Sequence, residues 1–285
     1  KLVIFLFHSS LLSPILGNPV NMDKLLEICN KYKLQLILDC CDSLKSEYNN
    51  KQLTEYTIAS SFSFYPAHEI CTLAEGGMVT SDNKQIIDIA RSLSSWGRSC
   101  YCFSLANCSQ NGLCNSRFSN WIKDLPDTIL DHRYVFDREG FNLKMLEVCA
   151  AVGLEQLKKL DKFCQKRIYN QEKISFLFKK YIKGVKSPIV LEKSKWIPFA
   201  TPVICKSKEQ KRKLVKYLES QNIQTRNCFA GNTTVHKAFR KYVTDWQEFT
   251  EANKVNDLVF FVGCAPTISQ ENINYIEKVL SQWKN

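Results

Sequence analysis

Ser61-Phe62-Ser63-Phe64-Tyr65-Pro66-Ala67-His68 reads as a short strand running into a turn, with Leu36-Ile37-Leu38-Asp39 before it and Glu75-Gly76-Gly77-Met78-Val79 after it. Leu36–Leu38 is a continuous apolar run, the pattern of a strand covered on both faces, and it ends in a carboxylate. In open α/β sheets such a strand end points into the crevice where ligands bind. Ser63 alternates with Phe62 and Phe64, so its hydroxyl faces away from the two rings. Tyr65 and Pro66 follow the strand. Two residues on stands His68, a side chain suited to move protons near neutral pH.

Around this centre strands and helices alternate. Leu2–Phe7, Leu34–Asp39, Ala59–Phe64 and Gly77–Ser81 read as strands, and Asn21–Lys33 and Lys84–Ser94 as helices. The first helix is expected to be capped near Asn21 and Asp23, with Leu25, Leu26, Ile28 and Cys29 inward. This rhythm predicts an α/β fold with an open, mostly parallel sheet and helices outside it. Residues 97–140 are polar, aromatic and cysteine-rich without periodicity, as in a long functional loop. Helical spacing resumes from Asn142 and runs through Leu154–Tyr181 until Ser187-Pro188 breaks it. The remainder predicts a smaller α+β lobe: a strand over Ile197–Cys205, a helix over Glu209–Gln221, a strand over Leu258–Val262 and a closing helix over Ser269–Trp283, capped by Ser269. The expected division is 1–140, with the cysteine-rich loop 97–120, and 141–285 as linking helix and small domain.

With 285 residues and 45% apolar composition the chain can bury a large core, but its 10 glycines leave little material for tight turns or phosphate loops. The net charge of +11 lies in scattered pairs such as Lys158-Lys159 and Lys179-Lys180, and in Lys211-Arg212-Lys213. These read as solvated helix faces without the interleaved aromatics of a nucleic-acid groove. No nucleic-acid partner is expected, whereas a positive field suits phosphorylated small ligands. Leu2–Phe7 is only a strand's length and no run approaches the roughly 20 apolar residues of a membrane span, so no membrane partner is expected either. The 13 cysteines are far from the density of a small secreted scaffold. The expectation is a cytoplasmic protein whose thiols are reduced and serve as core residues or metal ligands.

Five motifs in order carry a resemblance: Asp39-Cys40-Cys41-Asp42, Phe64-Tyr65-Pro66-Ala67-His68, Trp96-Gly97-Arg98-Ser99-Cys100-Tyr101-Cys102, Gly140-Phe141-Asn142-Leu143-Lys144, and Thr225-Arg226-Asn227-Cys228-Phe229-Ala230-Gly231-Asn232. The chain resembles the DegT/DnrJ/EryC1/StrS family of sugar-modifying enzymes, and within it the branch of CDP-4-keto-6-deoxy-D-glucose 3-dehydrases. The resemblance implies a partial fold type I PLP-dependent transferase. Most of that family hold pyridoxal phosphate through a lysine at the position of His68, a bond that imidazole cannot form. The dehydrase branch implies pyridoxamine phosphate held without that bond, and His68 as the general base of a C-3 dehydration.

The resemblance assigns further residues. Asp39 would pair with the pyridine nitrogen, Ser63 would face the phosphate, and Asn142 would reach the site of a neighbouring subunit, which implies a homodimer. Tyr65, Arg226 and Asn232 would face the substrate, a nucleotide-linked 4-keto sugar. Cys41, Cys100, Cys102 and Cys114 would hold a 2Fe–2S cluster fed by an NAD(P)H-dependent flavin or iron–sulfur reductase, with Cys108 competing for the fourth place. By spacing alone, these thiols suit zinc as well. Cys29, Cys149, Cys164, Cys205, Cys228 and Cys264 sit in apolar or helical contexts and read as core.

The sequence also departs from the family. Relatives carry a longer N-terminal portion with a turn that cradles the cofactor phosphate, and Gly17 is the one glycine before Gly76 here. Extra residues fall around Ser10–Ile15, in a turn that the family keeps tight. The alternatives to an iron-dependent 3-dehydrase are therefore an iron-independent PMP 3-dehydratase and an inactive homologue that only dimerises or binds metal.

Overall fold

The computed structural model describes residues 9–100, 114, 116–119 and 121–284. The strand expected over Leu2–Phe7 lies outside them. The first described element, β1 (Ser9–Leu12), occupies part of the segment expected to be an extra turn. It pairs in parallel with β2 (Gln35–Asp39), from Ser9 opposite Gln35 to Leu12 opposite Leu38. Between them runs α1 (Met22–Tyr32), whose cap Asn21 accepts from the Lys24 N–H at 3.0 Å. Met22 and Cys29 are its buried positions, while Ile28, expected inward, is 51% exposed.

After β2 the chain makes two short strands, β3 (Glu47–Tyr48) and β4 (Lys51–Gln52), and returns as β5 (Ala59–Ser63), parallel to β2. β6 (Gly77–Thr80) closes the sheet antiparallel to β5, giving the order β1-β2-β5-β6. The helix α2 (Lys84–Ser94) follows, capped by Asn83. The turn after it needs Gly97: at φ +77° a Cβ there would stand 1.8 Å from the Arg138 carbonyl oxygen.

Two helices lead to the C-terminal lobe, α3 (Glu147–Leu157) and α4 (Leu160–Tyr181). Leu160, Cys164, Arg167, Gln171, Ile174 and Phe178 are all buried, and their four-three spacing is the inward stripe of α4. A two-residue strand, β7 (Ser194–Lys195), pairs with β3, so the order β4-β3-β7 ties the early sheet to the later chain. The lobe's own sheet is β8-β10-β9, built from β8 (Ala200–Ile204), β9 (Thr225–Asn227) and β10 (Val259–Gly263), with β10 antiparallel to both neighbours. It packs with α5 (Lys208–Ser220), α6 (Thr250–Leu258) and α7 (Gln270–Ser281).

Ile174, Phe178, Leu214, Leu218, Phe260 and Leu280 form the centre of the largest apolar core. Ser269 caps α7 with a reciprocal box to Asn272. Lys211 departs from its expected solvated face: it is buried and donates to the Asn256 carbonyl at 2.6 Å. Among the described residues no helix is long and apolar enough to cross a membrane.

Candidate functional site

The ends of β2 and β5 meet α4 and the segment before β8, and functional groups collect at that junction. Asp39, the last residue of β2, is half-buried. Its Oδ1 accepts from the Cys41 N–H at 3.1 Å and from the Ser61 hydroxyl at 3.4 Å. Three residues on, Asp42 is buried, and its Oδ2 accepts from the Leu16 N–H at 3.1 Å. Burial pushes the Asp42 carboxyl up to about 6. Gly17 makes this turn possible, since a Cβ there would lie 2.1 Å from the Ile197 carbonyl oxygen and 2.8 Å from that of Asp42.

His68 sits on the turn beyond β5, its N–H bonded to the Tyr65 carbonyl at 2.9 Å. Its Nδ1 is 3.7 Å from Asp42 Oδ1, an ion-pair distance longer than a hydrogen bond, and has no hydrogen-bond partner. Burial holds the imidazole below its ordinary pKa; the Arg167 cation adds to this, and the Cys41 backbone and Asp39 oppose it. His68 is therefore neutral at pH 7, the form a base requires. Its ring packs against Phe199 at 5.3 Å between centroids, and Phe199 continues into a cluster with Phe229 and Phe261.

Two further groups complete the junction. Glu69 is 3% exposed, neither of its carboxylate oxygens has a hydrogen-bond partner, and burial pushes it up to about 8. Arg167 is equally buried and donates to the Phe199 carbonyl at 2.8 Å and the His68 carbonyl at 3.0 Å. A cleft of about 850 Å³ opens beside Ala67, Arg167 and Phe199 and extends past Arg226 and Phe229 to α7.

A profile of the DegT/DnrJ/EryC1/StrS aminotransferase family matches residues 11–281. The chain belongs to this family. It is 33% identical over 282 residues to the dTDP-4-dehydro-2,6-dideoxy-D-glucose 3-dehydratase of Saccharopolyspora spinosa, a match covering 96% of this chain and 58% of the relative. It is 33% identical over 265 residues to lipopolysaccharide biosynthesis protein RfbH of Salmonella typhimurium, covering 92% of this chain and 59% of the relative. The chain thus spans less than two thirds of these relatives' lengths. The solved structure of Escherichia coli GDP-4-keto-6-deoxy-D-mannose 3-dehydratase with bound hydrated PLP superposes with a TM-score of 0.77 at 25% identity, covering 96% of this chain and 67% of that one. The fold is the α/β fold of these PLP-dependent proteins, as the motifs implied.

Within this DegT/DnrJ/EryC1/StrS chain the expected site residues divide. Asp39 and His68 come together, and Arg226 lies on β9 at the wall of the cleft. Ser63 Oγ accepts from the Tyr65 N–H at 3.2 Å, and Tyr65 itself is 51% exposed. Asn142 is exposed and forms a bridge with Ser95. Asn232 departs from its expected contact with substrate. It is buried, donates to Trp246 O and Asn253 Oδ1, and accepts from the Thr234 N–H and hydroxyl, so its amide is fully used in holding its own loop.

Of the expected metal-ligand set, Cys41, Cys100 and Cys114 are among the described residues. Among the described residues no three His, Cys, Asp or Glu side chains converge as a metal site, and Cys102 and Cys108 lie outside those residues. Burial and the neighbouring Asp39 and Asp42 carboxylates push the Cys41 thiol up to about 12. Cys114 Sγ is instead 3.1 Å from Nε2 of the buried His132. The described residues by themselves do not fit an iron–sulfur cluster. The six cysteines expected in the core are all buried.

Asp42, Glu69 and Arg167 were not among the sequence candidates. Arg167 had a legible signal, its place on the inward stripe of α4. Glu69 had a fainter one, a carboxylate between His68 and the apolar pair Ile70-Cys71.

Proposed function

We propose that the chain carries the catalytic residues of a pyridoxamine-phosphate-dependent 3-dehydratase of nucleotide-linked 4-keto-6-deoxyhexoses. The observation that supports this most directly is His68: neutral, with an unpartnered Nδ1, beside a strand-end carboxylate and at the place where the family's lysine would stand. The bound cofactor supplies an electron sink in its pyridine ring. The junction fits the pyridine end of such a group. With both hydrogen bonds to Asp39 taken by Oδ1, Oδ2 is the oxygen to accept from a pyridinium N–H. A proton on Nδ1 of His68, facing Asp42, leaves Nε2 to take up the substrate-side proton. The Asp42 carboxylate then stabilises the resulting imidazolium. The aromatic wall of Phe199, Phe229 and Phe261 keeps water from one side of the imidazole, and Arg226 offers its charge to a diphosphate.

Two finer parts belong to the same reading. Phe141, Leu143, Leu146, Val148, Leu154 and Leu157 are all more than half exposed, an apolar surface that supports a homodimer formed through α3 and the segment before it. Cysteine order and flanking motifs support an iron–sulfur cluster and a reductase partner. The second reading is an iron-independent dehydratase, since His68 serves both chemistries alike. Iron and sulfide content after anaerobic reconstitution separates the two.

The test of the activity is a mass-spectrometric assay of 3-deoxygenated or dehydrated product with nucleotide-linked 4-keto-6-deoxyhexoses, on protein loaded with pyridoxamine phosphate. His68→Gln is expected to lower turnover by about 10²–10⁴-fold while the absorbance of bound cofactor persists. Undiminished turnover in that variant overturns the role of His68, and no product from the loaded parent protein overturns the activity.

A further inference from the structure

Four polar atoms are stranded beside the crevice, His68 Nδ1, both Glu69 oxygens and Arg167 Nε, and the Arg167 cation bears on both of the other residues. Arginine stays charged at any working pH, and a guanidinium buried beside a carboxyl would ordinarily fork onto it. Here it does not. Nη1 goes to the carbonyl of Phe199, 32 residues away, and Nη2 to the carbonyl of His68, 99 residues away, while Glu69 receives no hydrogen bond.

The two chosen carbonyls have something in common. One belongs to the residue that bears the imidazole, and the other to the residue whose ring that imidazole packs against, at 5.3 Å and an interplanar angle of 52°. A single rigid plane therefore fixes both backbones whose separation sets the imidazole's pose. Its own anchorage is firm, because Arg167 lies on the buried stripe of α4 between Cys164 and Gln171.

We propose that Arg167 is a positioning residue for His68, acting as a clamp that holds the imidazole-bearing turn against the Phe199 backbone. The proposal rests on His68 being the base, but its test does not depend on turnover. Lysine at this position keeps the charge and loses the two-pronged planar donor.

In protein labelled at its 4 histidines, with His68→Gln used to assign the resonance, Arg167→Lys is expected to shift the His68 ring signal. Its titration midpoint should also rise toward the ordinary value of about 6.5, with the other histidines unmoved. In the loaded enzyme kcat should fall on the order of 10- to 100-fold with KM within about twofold, the mark of misplacement rather than lost binding. A folded Arg167→Lys protein whose His68 signal and midpoint match the parent overturns the clamp, whatever its melting temperature. Should the parent show no turnover, the proposed activity fails while the imidazole titration still decides the clamp. Should the variant not fold, arginine ¹⁵N spectra of the parent decide instead. Slowly exchanging Arg167 Nη protons support the clamp, and exchange as fast as that of exposed arginines overturns it.

Discussion

In the C-terminal lobe the deeply buried side chains are Ile174, Phe178, Leu214, Phe260 and Leu280, packed among other apolar groups. Beside His68 the deeply buried side chains are Asp42, Glu69 and Arg167, and the last two leave polar atoms without partners. A buried polar atom without a partner costs about 1–3 kcal/mol, so the second region is held in place by the first and by the chain around it. The contrast separates what stabilises this protein from what it is built to present. Stability resides around Phe260, where the unpartnered atoms of Asn170, Thr201 and Trp283 are neutral, whereas those of His68, Glu69 and Arg167 at the strand ends belong to ionisable groups.

The comparison can be broken most sharply at Phe260. Phe260→Ala removes a fully buried ring that meets Phe178 edge-on at 6.1 Å, and should cost about 3–5 kcal/mol in urea unfolding. A loss below about 1 kcal/mol would show that the lobe is not the stabilising half.

Glu69→Gln should act in the opposite direction. The folded-state pKa of Glu69 is raised to about 8 from 4.5, so the folded protein holds its proton where the unfolded chain has released it. The resulting penalty is absent below pH 4.5, grows as pH rises from there, and is complete above about 8. The variant should therefore match the parent near pH 4.5 and exceed it at pH 8, by on the order of a few kcal/mol. Equal stabilities at both pH values would mean that Glu69 is not isolated.

The smallest expected effect is at Ser269. Ser269→Ala removes the cap of α7 and should cost about 1 kcal/mol, leaving the His68 titration unchanged. A shift of that titration would tie the lobe to the crevice more closely than the packing implies.

Much of this was legible from residue order. The caps at Asn21 and Ser269, the parallel pairing of β2 with β5, and Asp39 at a strand end all follow from local pattern. What escaped was set by contacts distant in sequence. Ile28 has helical spacing compatible with the core, but the sheet covers the face bearing Met22 and Cys29. Arg167 stands on the inward stripe of a helix rich in Lys, but the carbonyls that it serves are on other elements and gave no signal in the sequence. Asn232 matched a motif, yet its loop uses all of its hydrogen-bonding capacity. Residue type and spacing marked Asp39 and His68, which the fold places at one junction. They did not reveal which polar groups are held apart from their natural partners.

The stitch between β3 and β7 has a consequence for the order of folding. Ser46 accepts from the Ile197 N–H at 3.1 Å, 151 residues further along, and donates to the Gly17 carbonyl at 2.7 Å, while Glu47 and Tyr48 pair with Lys195 and Ser194. Contacts that close so long a loop form slowly and late. A nascent chain that has emerged only as far as α4 can assemble β2 and β5, but it lacks the Ile197 N–H that Ser46 accepts from and the ring that His68 leans on. The reactive corner of this molecule is thus completed during synthesis only when residues 194–199 arrive, and until then its buried charges remain open to water.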